Sequence, residues 1–221
     1  IIFAYDNSHD TTLEQLRDYK LKNLADVDIL MCCNTHKYRT VNIANARNCI
    51  MDCIRKKYSD YDLLCFLDLD DIINKPIDPM AIYNFMGMTA QWDAISFNRD
   101  AYYDIWALRF NPYLCSCWGF GSKSSGVVST MQGEIISKLN ALKMNELLEV
   151  KSAFNGIAFF KLTEFINCRF TGLFENDEEF KNPLSLSYLP SSDDCEWVSF
   201  HESARKINPN LKVVISPMKL Y

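Results

Sequence analysis

The stretch "YDLLCFLDLDD", residues 61–71, is the part of the sequence that best indicates the fold. The apolar run predicts a buried strand, and three carboxylates follow it within four positions. Asp68 and Asp70 are two residues apart, so their side chains lie on the same side of an extended chain, while Asp71 points the other way or begins a turn. Clustered carboxylates repel one another and lose hydration on burial, so this strand end requires a cation or a shared proton.

Two interpretations of this acidic strand end follow from the residues. A divalent cation such as Mg²⁺ or Mn²⁺ prefers oxygen ligands and often bridges carboxylates to a substrate phosphate. The plainer interpretation is that the acids only cap the turn that precedes Pro76. We take a site for Mn²⁺ or Mg²⁺ as the working hypothesis.

Strand and helix patterns alternate along the first hundred residues. Apolar runs predict strands, and amphipathic segments with capping residues predict helices between them. The predicted strands are residues 1–8, 27–35, 61–71 and 92–98, and the predicted helices are residues 11–25, 42–58 and 78–87. Strands that are apolar on both faces are typical of parallel sheets covered by helices. We therefore predict an α/β fold with a mainly parallel central sheet flanked by helices.

The second half of the chain is less regular. Residues 129–150 are predicted to be mainly helical, residues 152–162 a turn that enters a strand, and residues 211–217 a last short strand. The aromatic segment 102–110 is ambiguous between strand and loop. With no repeat or linker, residues 1–221 are predicted to form a single domain, which we expect to stand alone or to be a module of a longer polypeptide with further domains.

Arg47 stands out on the predicted helix 42–58. It falls on the apolar stripe formed by Ile43, Ile50 and Ile54. A buried guanidinium stays charged and needs an anionic partner. The partner is predicted to be Asp68 in a structural ion pair, or alternatively Arg47 faces a bound phosphate at the strand ends, where ligands bind in such sheets.

Composition excludes several classes of protein. The net charge of −5 argues against a nucleic-acid surface, and no run of apolar residues is long enough for a membrane span. Nine cysteines, an odd number that falls largely in apolar segments, are expected to be reduced. We therefore expect a reducing, cytoplasm-like compartment, which would be the host cytoplasm if the protein is viral.

The order of the motifs resembles the GT-A class of nucleotide-sugar glycosyltransferases. These motifs are "YDNS" after the first strand, "ANARN" in the second helix and the Asp-x-Asp of "FLDLDD". In addition, "VKSAFNGIAFF" is similar to the acceptor-side turn of that class, and "DDCEWVSFH" to its late acidic segment with a metal-binding histidine. The run "WDAISFNRDAYYDIWALRF" is similar to the N-terminal domain of a virus-encoded glycosyltransferase.

The resemblance implies a fold and an activity. It implies one GT-A-like domain in which residues 1–100 bind the nucleotide and residues 101–221 bind the acceptor and carry the catalytic groups. The implied reaction is metal-dependent transfer of a sugar, glucose or a deoxyhexose such as rhamnose, from a UDP-sugar to a glycan acceptor hydroxyl, with inversion. The transfer also needs a carboxylate that takes the proton from the acceptor hydroxyl. The first candidate for this base is Glu196, and the alternatives are Asp194 and Asp193.

The resemblance also implies binding roles for individual residues. The nucleotide would be bound by Tyr5, Asp6, Arg47 and Asp68, and the metal ion by Asp68, Asp70 and His201. Donor and acceptor sugars would be contacted by Asp93, Arg99, Asp104, Phe154, Asn155, Gly156 and Trp197. Trp197 stands where related sequences often have histidine. Aromatic side chains expected to stack on sugar rings, or else to belong to the core, are Tyr102, Tyr103, Trp106 and Trp118.

Two other functions fit some of the same residues. "FLDLDDII" also resembles the first motif of haloacid-dehalogenase phosphatases, with Asp68 as nucleophile and Asp70 as acid and base. The chain contains no Gly-Asp dipeptide, which that class needs later in the sequence. The second alternative is a nucleotide-sugar-binding module that turns nothing over.

Overall fold

A sheet covered by helices on both faces forms the centre of the structure. The computed structural model describes residues 1–6, 9–23, 26–32, 35–69, 76–114, 125–174 and 192–220. The strands are β1 (Ile2–Tyr5), β2 (Asp28–Met31), β3 (Leu63–Leu67), β4 (Ala94–Asn98), β5 (Leu148–Val150), β6 (Ile157–Lys161) and β7 (Val213–Lys219). The α-helices are α1 (Thr12–Lys22), α2 (Arg39–Lys57), α3 (Pro79–Met86), α4 (Ser125–Ala141), α5 (Leu162–Phe165) and α6 (Glu196–Ile207).

The central sheet is mixed, so the predicted mainly parallel sheet is wrong. Among the described residues it has five strands in the order β3-β6-β4-β7-β5, and of these strands only β4 and β7 pair in parallel. Strands β1 and β2 form a separate parallel pair. Burial on both faces predicted that helices cover the sheet, but it does not fix strand direction, because an antiparallel strand between two helical layers is equally apolar.

Alternate side chains of each central strand enter two apolar clusters, one on each face of the sheet. On β6, Ala158 and Phe160 belong to one cluster, and Ile157 and Phe159 to the other. The first face is covered by α2, α4 and α6, and the second by α3, which buries Phe85 there. The period of two along the strand thus produces a core on both sides.

Several predicted elements are confirmed and one is wrong. The second helix is present as α2, and Asp78 caps α3 by accepting a hydrogen bond from the backbone N–H of Met80 at 2.9 Å. The helix predicted over residues 129–150 is too long, since α4 ends at Ala141 and residues 148–150 form β5. No helix in the described part of the chain is both long and apolar enough to cross a membrane.

The direction of β6 determines where the strand ends meet. Strands β3 and β4 both run antiparallel to β6, so they point the same way. The carboxyl end of β3 carries Asp68, and the carboxyl end of β4 leads to Arg99. Both residues therefore lie at one edge of the sheet, at which the residues before β6 also arrive.

A segment ahead of α6 crosses the first turns of α2 at very short range. The hydroxyl of Thr40 donates a hydrogen bond to the carbonyl of Gly172 at 2.8 Å. The side-chain amide of Asn48 binds both the N–H and the carbonyl of Phe170, at 3.0 and 2.8 Å. Gly172 has a φ of +64°, and a Cβ there would lie 2.4 Å from the carbonyl carbon and oxygen of Thr40.

We expect Gly172→Ala to lower the free energy of unfolding by about 2 kcal/mol or more, because the left-handed backbone alone costs about 1–2 kcal/mol and the clash adds to it. Gly133→Ala on α4 is the matched control, since nothing lies within 4 Å of a Cβ there. That change is expected to stabilise the helix by roughly 0.5–1 kcal/mol. Urea denaturation of both variants tests this, and equal effects would contradict the close approach.

Candidate active site

Arg47 on α2 lies at the centre of a buried group of charges at the carboxyl end of β3. Its guanidinium donates one hydrogen bond to Oε1 of Glu196 and another to Oδ1 of Asp68, the latter at 3.0 Å. The guanidinium carbon also lies 4.1 Å from the centre of the Trp197 ring, a cation–π contact. The predicted ion pair between Arg47 and Asp68 is confirmed, and Glu196 joins it.

Each partner of Arg47 is fixed by its own element. Glu196 is the first residue of α6, where a negative charge faces the positive end of the helix dipole. Asp68 follows β3, and its backbone N–H donates to the carbonyl of Gly156 at 3.0 Å. Glu196 is buried, whereas the side chain of Asp68 is 34% exposed and opens the group to solvent.

The charges determine the ionisation of Arg47. Burial alone would lower the pKa of its guanidinium, but the charges of Glu196 and Asp68 outweigh burial, and the pKa rises above its ordinary value. Arg47 is therefore a permanent cation that two carboxylates share.

Asp104 adds a third carboxyl to this group. Burial raises the pKa of Asp104 from 3.8 to about 7, and the nearby charge of Glu196 adds to the rise. Its Oδ1 accepts a hydrogen bond from the backbone N–H of Ala107 at 3.2 Å. The charges of Glu196, Arg47 and Asp68 all act on Asp104, so three carboxyls lie in the neighbourhood of one guanidinium, and full ionisation would leave an excess of negative charge. A proton on Asp104 or a bound cation relieves it.

The turn of residues 154–156 holds two of these carboxyls in place. Asn155 has a φ of 84° and Gly156 a φ of 92°, a left-handed geometry that Asn and Gly tolerate best. The side-chain oxygen of Asn155 accepts from the N–H groups of Tyr103 and Asp104, at 2.9 and 3.2 Å. Its amide nitrogen donates to the carbonyl of Phe97 on β4 at 2.9 Å.

Phe154, Asn155 and Trp197 therefore do not have the sugar-contacting positions expected for them. All three are buried, and Phe154 stacks on Trp197 with ring centres 4.1 Å apart. The amide of Asn155 is used in backbone hydrogen bonds. These residues pack against the charged group from the side of the core, while the carbonyl of Gly156 accepts the hydrogen bond from the backbone N–H of Asp68. The Asn-Gly dipeptide ahead of an apolar strand was the sequence signal for this role.

Asp194 belongs to a second buried ion pair, with Arg109, and not to the charged group around Arg47. Its Oδ2 accepts from Arg109 at 2.8 Å, and its Oδ1 accepts from the N–H of Cys195 at 2.7 Å. With both oxygens engaged and the side chain buried, Asp194 is poorly placed to accept a proton from a substrate. The signal missed in the sequence was Arg109, a cation inside the apolar run "ALRF", which needed a partner for the same reason as Arg47.

His201 lies in the aromatic core. Its Nδ1 is 2.8 Å from the carbonyl of Trp197 and 3.1 Å from the hydroxyl of Ser152, and its ring centre is 5.9 Å from that of Phe160. Burial lowers the pKa of His201 to about 3, so it is neutral at pH 7. Its surroundings are those of a core histidine and do not fit a metal ligand at the strand end.

The metal site stays a prediction. Asp70 and Asp71 lie outside the described residues, as does Trp118, one of the aromatic residues expected to contact sugars. Within the ranges given above, no three His, Cys, Asp or Glu side chains are placed so as to hold a metal ion. Asp68 fits a hard cation, because it offers partly exposed carboxylate oxygens at the strand end.

Asp93 is at the wrong edge of the sheet for the predicted sugar contact. It precedes β4, pairs with Lys161 at 3.0 Å and accepts from the N–H of Lys212 at 2.8 Å. Lys161 in turn pairs with Leu63 at the start of β3. Asp93 is therefore separated from Asp68 by the length of that strand, roughly 16 Å, and cannot share a ligand with it.

The remaining predicted residues lie at strand ends. Arg99 follows β4 and is half-buried, with its guanidinium carbon 6.0 Å from the centre of the Tyr103 ring. Tyr5 ends β1, and Asp6 follows it at the surface. The nucleobase contacts predicted for Tyr5 and Asp6 stay predictions.

An apolar cavity of about 580 Å³ lies between β1, α2 and β3. Its lining includes Phe3, Ile50, Ile54, Leu64 and Leu162, and none of the charged residues around Arg47 contributes to it. Asp26 contributes an acid to this lining, which is otherwise mainly apolar, whereas the group around Arg47 brings several charged side chains together.

Comparisons with known proteins add little. No protein-family model and no curated protein matches the chain. Among solved structures, "Crystal Structure of A197 from STIV" is similar, with a TM-score of 0.41 and 18% sequence identity over 97% of this chain and 80% of that one. Similarity at that level supports no inference about the activity of this protein.

We expect Arg47→Met to lower the free energy of unfolding by about 3–5 kcal/mol, because Glu196 would stay buried without its cation. Arg169→Met is the control. Arg169 pairs with Asp52 at 2.9 Å with both side chains more than half exposed, so its loss should cost less than about 1 kcal/mol. Guanidinium denaturation distinguishes the two, and similar losses would show that the group around Arg47 is not stabilised by its charges.

The raised pKa of Asp104 predicts a pH dependence of stability. The folded protein keeps a proton on Asp104 up to about pH 7, whereas the unfolded chain releases it near 3.8. Stability contributed by this carboxyl is therefore present at acidic pH and is lost as the pH rises from about 4 to 7. Asp104→Asn should melt higher than the wild type at pH 8, and the difference should be smaller at pH 5.

Thermal denaturation in EDTA measures this difference without interference from metal ions. Asp60→Asn, at an exposed carboxyl on the turn before β3, is the control and should show no such dependence on pH. A melting difference for Asp104→Asn that is the same at pH 5 and pH 8 would refute the assignment.

Proposed function

We propose that this chain is a metal-dependent glycosyltransferase that moves a sugar from a nucleotide diphosphate sugar, most simply a UDP-sugar, to a hydroxyl of a glycan acceptor. The observation that carries the proposal is the group of Asp68, Asp104 and Glu196 around Arg47 at the carboxyl end of β3. Carboxyl ends of strands are where α/β folds bind ligands. The resemblance of the motifs to the GT-A class supports the same reaction.

Such a transfer develops negative charge on the leaving diphosphate and releases a proton from the acceptor hydroxyl, and the described residues suit both changes. The bond between the anomeric carbon and the diphosphate breaks with its electron pair leaving on the diphosphate, while the acceptor oxygen bonds to that carbon. Asp68, with Asp70, would hold Mn²⁺ or Mg²⁺, which when bound neutralises the leaving diphosphate. Arg47 lies one contact behind Asp68 and orients that carboxylate through a hydrogen bond to its Oδ1.

The proton of the acceptor hydroxyl must pass to a carboxylate. Glu196 and Asp104 both belong to the group around Arg47, whereas Asp194 is engaged with Arg109. We propose that one of these two carboxyls is the base. Glu196 has its Oε1 held by Arg47, while Asp104 accepts a single backbone hydrogen bond through its Oδ1.

One observation favours a second candidate, a nucleotide-sugar-binding module without turnover. Glu196 and Asp194, the residues predicted as bases, are both in buried ion pairs with arginine. Such pairs give these acids a structural role. A module of this kind would bind donor and release no nucleotide.

The test is release of UDP from a panel of UDP-sugars, with and without Mn²⁺ and a mixture of oligosaccharide acceptors. We expect metal-dependent release that falls by about 10²-fold or more in Asp68→Asn and in Asp70→Asn, the size typical of losing one electrostatic contact to the transition state. Asp60→Asn, an exposed acid away from the group, should keep full activity. Donor should also raise the melting temperature only when metal is present.

Binding of donor without any release of UDP would leave the module as the function. Hydrolysis of p-nitrophenyl phosphate with Mg²⁺, lost in Asp68→Asn, would instead support the phosphatase interpretation. Neither donor binding nor turnover across the panel would overturn the proposal.

A further inference from the structure

The short segment 102–108, which follows β4, has some side chains buried in the core and others exposed to solvent. Tyr102, Ile105, Ala107 and Leu108 are buried. The two largest aromatic side chains between them face outward instead, Tyr103 at 49% and Trp106 at 37% exposure. The core role is confirmed for Tyr102, whereas Tyr103 and Trp106 offer aromatic surface of the kind that is enriched at interfaces.

The exposure of these rings is not due to a loose backbone. The N–H of Tyr103 is fixed to Asn155, and the N–H of Ile105 donates to the carbonyl of Tyr103 at 3.0 Å. The side-chain amide of Gln132 on α4 donates to the carbonyl of Tyr102 at 3.1 Å. Neighbours on both sides are anchored in the core, so the rings are presented by a fixed scaffold.

The segment also carries Asp104, which lies between the two rings in sequence. Its carboxyl is close enough to Glu196, Arg47 and Asp68 for their charges to act on it. The neighbouring side chains of Tyr103 and Trp106 are exposed. Arg99 borders the same surface, with its guanidinium carbon 6.0 Å from the Tyr103 ring centre. Two exposed aromatic residues and the charged residues Arg99 and Asp104 therefore belong to the same short stretch of chain, with Arg99 near the Tyr103 ring.

This combination selects for one class of ligand. In the absence of a bound metal ion, anions are disfavoured because the carboxyls of Asp68, Asp104 and Glu196 outnumber the guanidinium of Arg47. Purely apolar ligands are disfavoured because they would desolvate those carboxyls without hydrogen-bonding them. A neutral sugar ring satisfies both conditions, since its C–H face packs on an aromatic ring and its hydroxyls donate to carboxylates.

We propose that Tyr103 and Trp106 form the subsite for a neutral sugar ring of the acceptor glycan, beside Asp104. The assignment rests on the proposed function for the identity of the acceptor, but carbohydrate binding itself can be measured without turnover. Asn155 is then a positioning residue, because it fixes the backbone of Tyr103 and of Asp104 with one oxygen.

The experiment is saturation-transfer difference NMR with cellobiose, lactose and diacetylchitobiose as neutral probes and a sulfated heparin disaccharide as the acidic probe. We expect at least one neutral disaccharide to bind the wild type and the acidic one not to. Trp106→Ala should weaken that binding about tenfold, which corresponds to about 1.4 kcal/mol. Trp106→Leu keeps apolar volume without the flat face and should also weaken it.

Tyr83→Ala is the matched control, an aromatic side chain that is 74% exposed on α3, the helix that covers the other face of the sheet. It should leave binding unchanged, and melting temperatures confirm that every variant is folded. Failure of all neutral probes to bind the wild type, or equal binding by Trp106→Ala and the wild type, would overturn the subsite.

Turnover separates this proposal from the proposed function. In the double variant Tyr103→Ala/Trp106→Ala, hydrolysis of donor without acceptor should persist while transfer to the glycan falls, chiefly through a higher KM for acceptor. Disaccharide binding that is lost in the variants of a chain with no turnover would uphold the subsite and refute the transferase. Donor hydrolysis by the wild type, combined with disaccharide binding that the variants leave unchanged, would uphold the transferase and refute the subsite.

Discussion

The contact on which the arrangement depends is the guanidinium of Arg47 between Glu196 and Asp68, with Trp197 packed against its face. It joins α2, α6 and the end of β3. A buried cation is costly unless it is fully paired, so these elements are held in the positions that pair it. The same guanidinium orients one buried carboxylate, that of Glu196, and one partly exposed carboxylate, that of Asp68, at the end of the strand.

The mixed sheet is what brings the other groups to this cation. Because β6 runs against β3 and β4, it begins at the edge where they end. The residues before β6 thus reach the charged group, and Asn155 binds the segment that carries Asp104. In a wholly parallel sheet, the residues ahead of a strand would lie at the opposite edge, as Asp93 does. The topology that departed from expectation is therefore the one that builds the site.

Local patterns in the sequence predicted the local structure well. The apolar run before Asp68, the stripe that includes Arg47 and the Asp78 cap all follow from spacing and side-chain chemistry within a few residues. The failures concern partners distant in sequence. Glu196 is 149 positions from Arg47, and Asp194 is 85 from Arg109, so no periodicity indicates which acid meets which arginine. The strand directions were predicted wrongly for the same reason, because tertiary contacts decide which strands pair and in which direction.

The charge balance argues for a ligand at this strand end. Apolar side chains of similar volume would pack here with no loss of stability, since buried ion pairs seldom repay their desolvation. An arrangement of three carboxyls around one guanidinium is worse still, because the third must hold a proton or repel its neighbours. Such a group is stable only while something offsets the excess charge. A proton does so without a ligand, but a proton alone does not explain why the exposed aromatic residues Tyr103 and Trp106 are carried by an anchored backbone. A hydroxylated ring bound beside a cation would account for both features, because it needs acids on one side and a flat apolar face on the other.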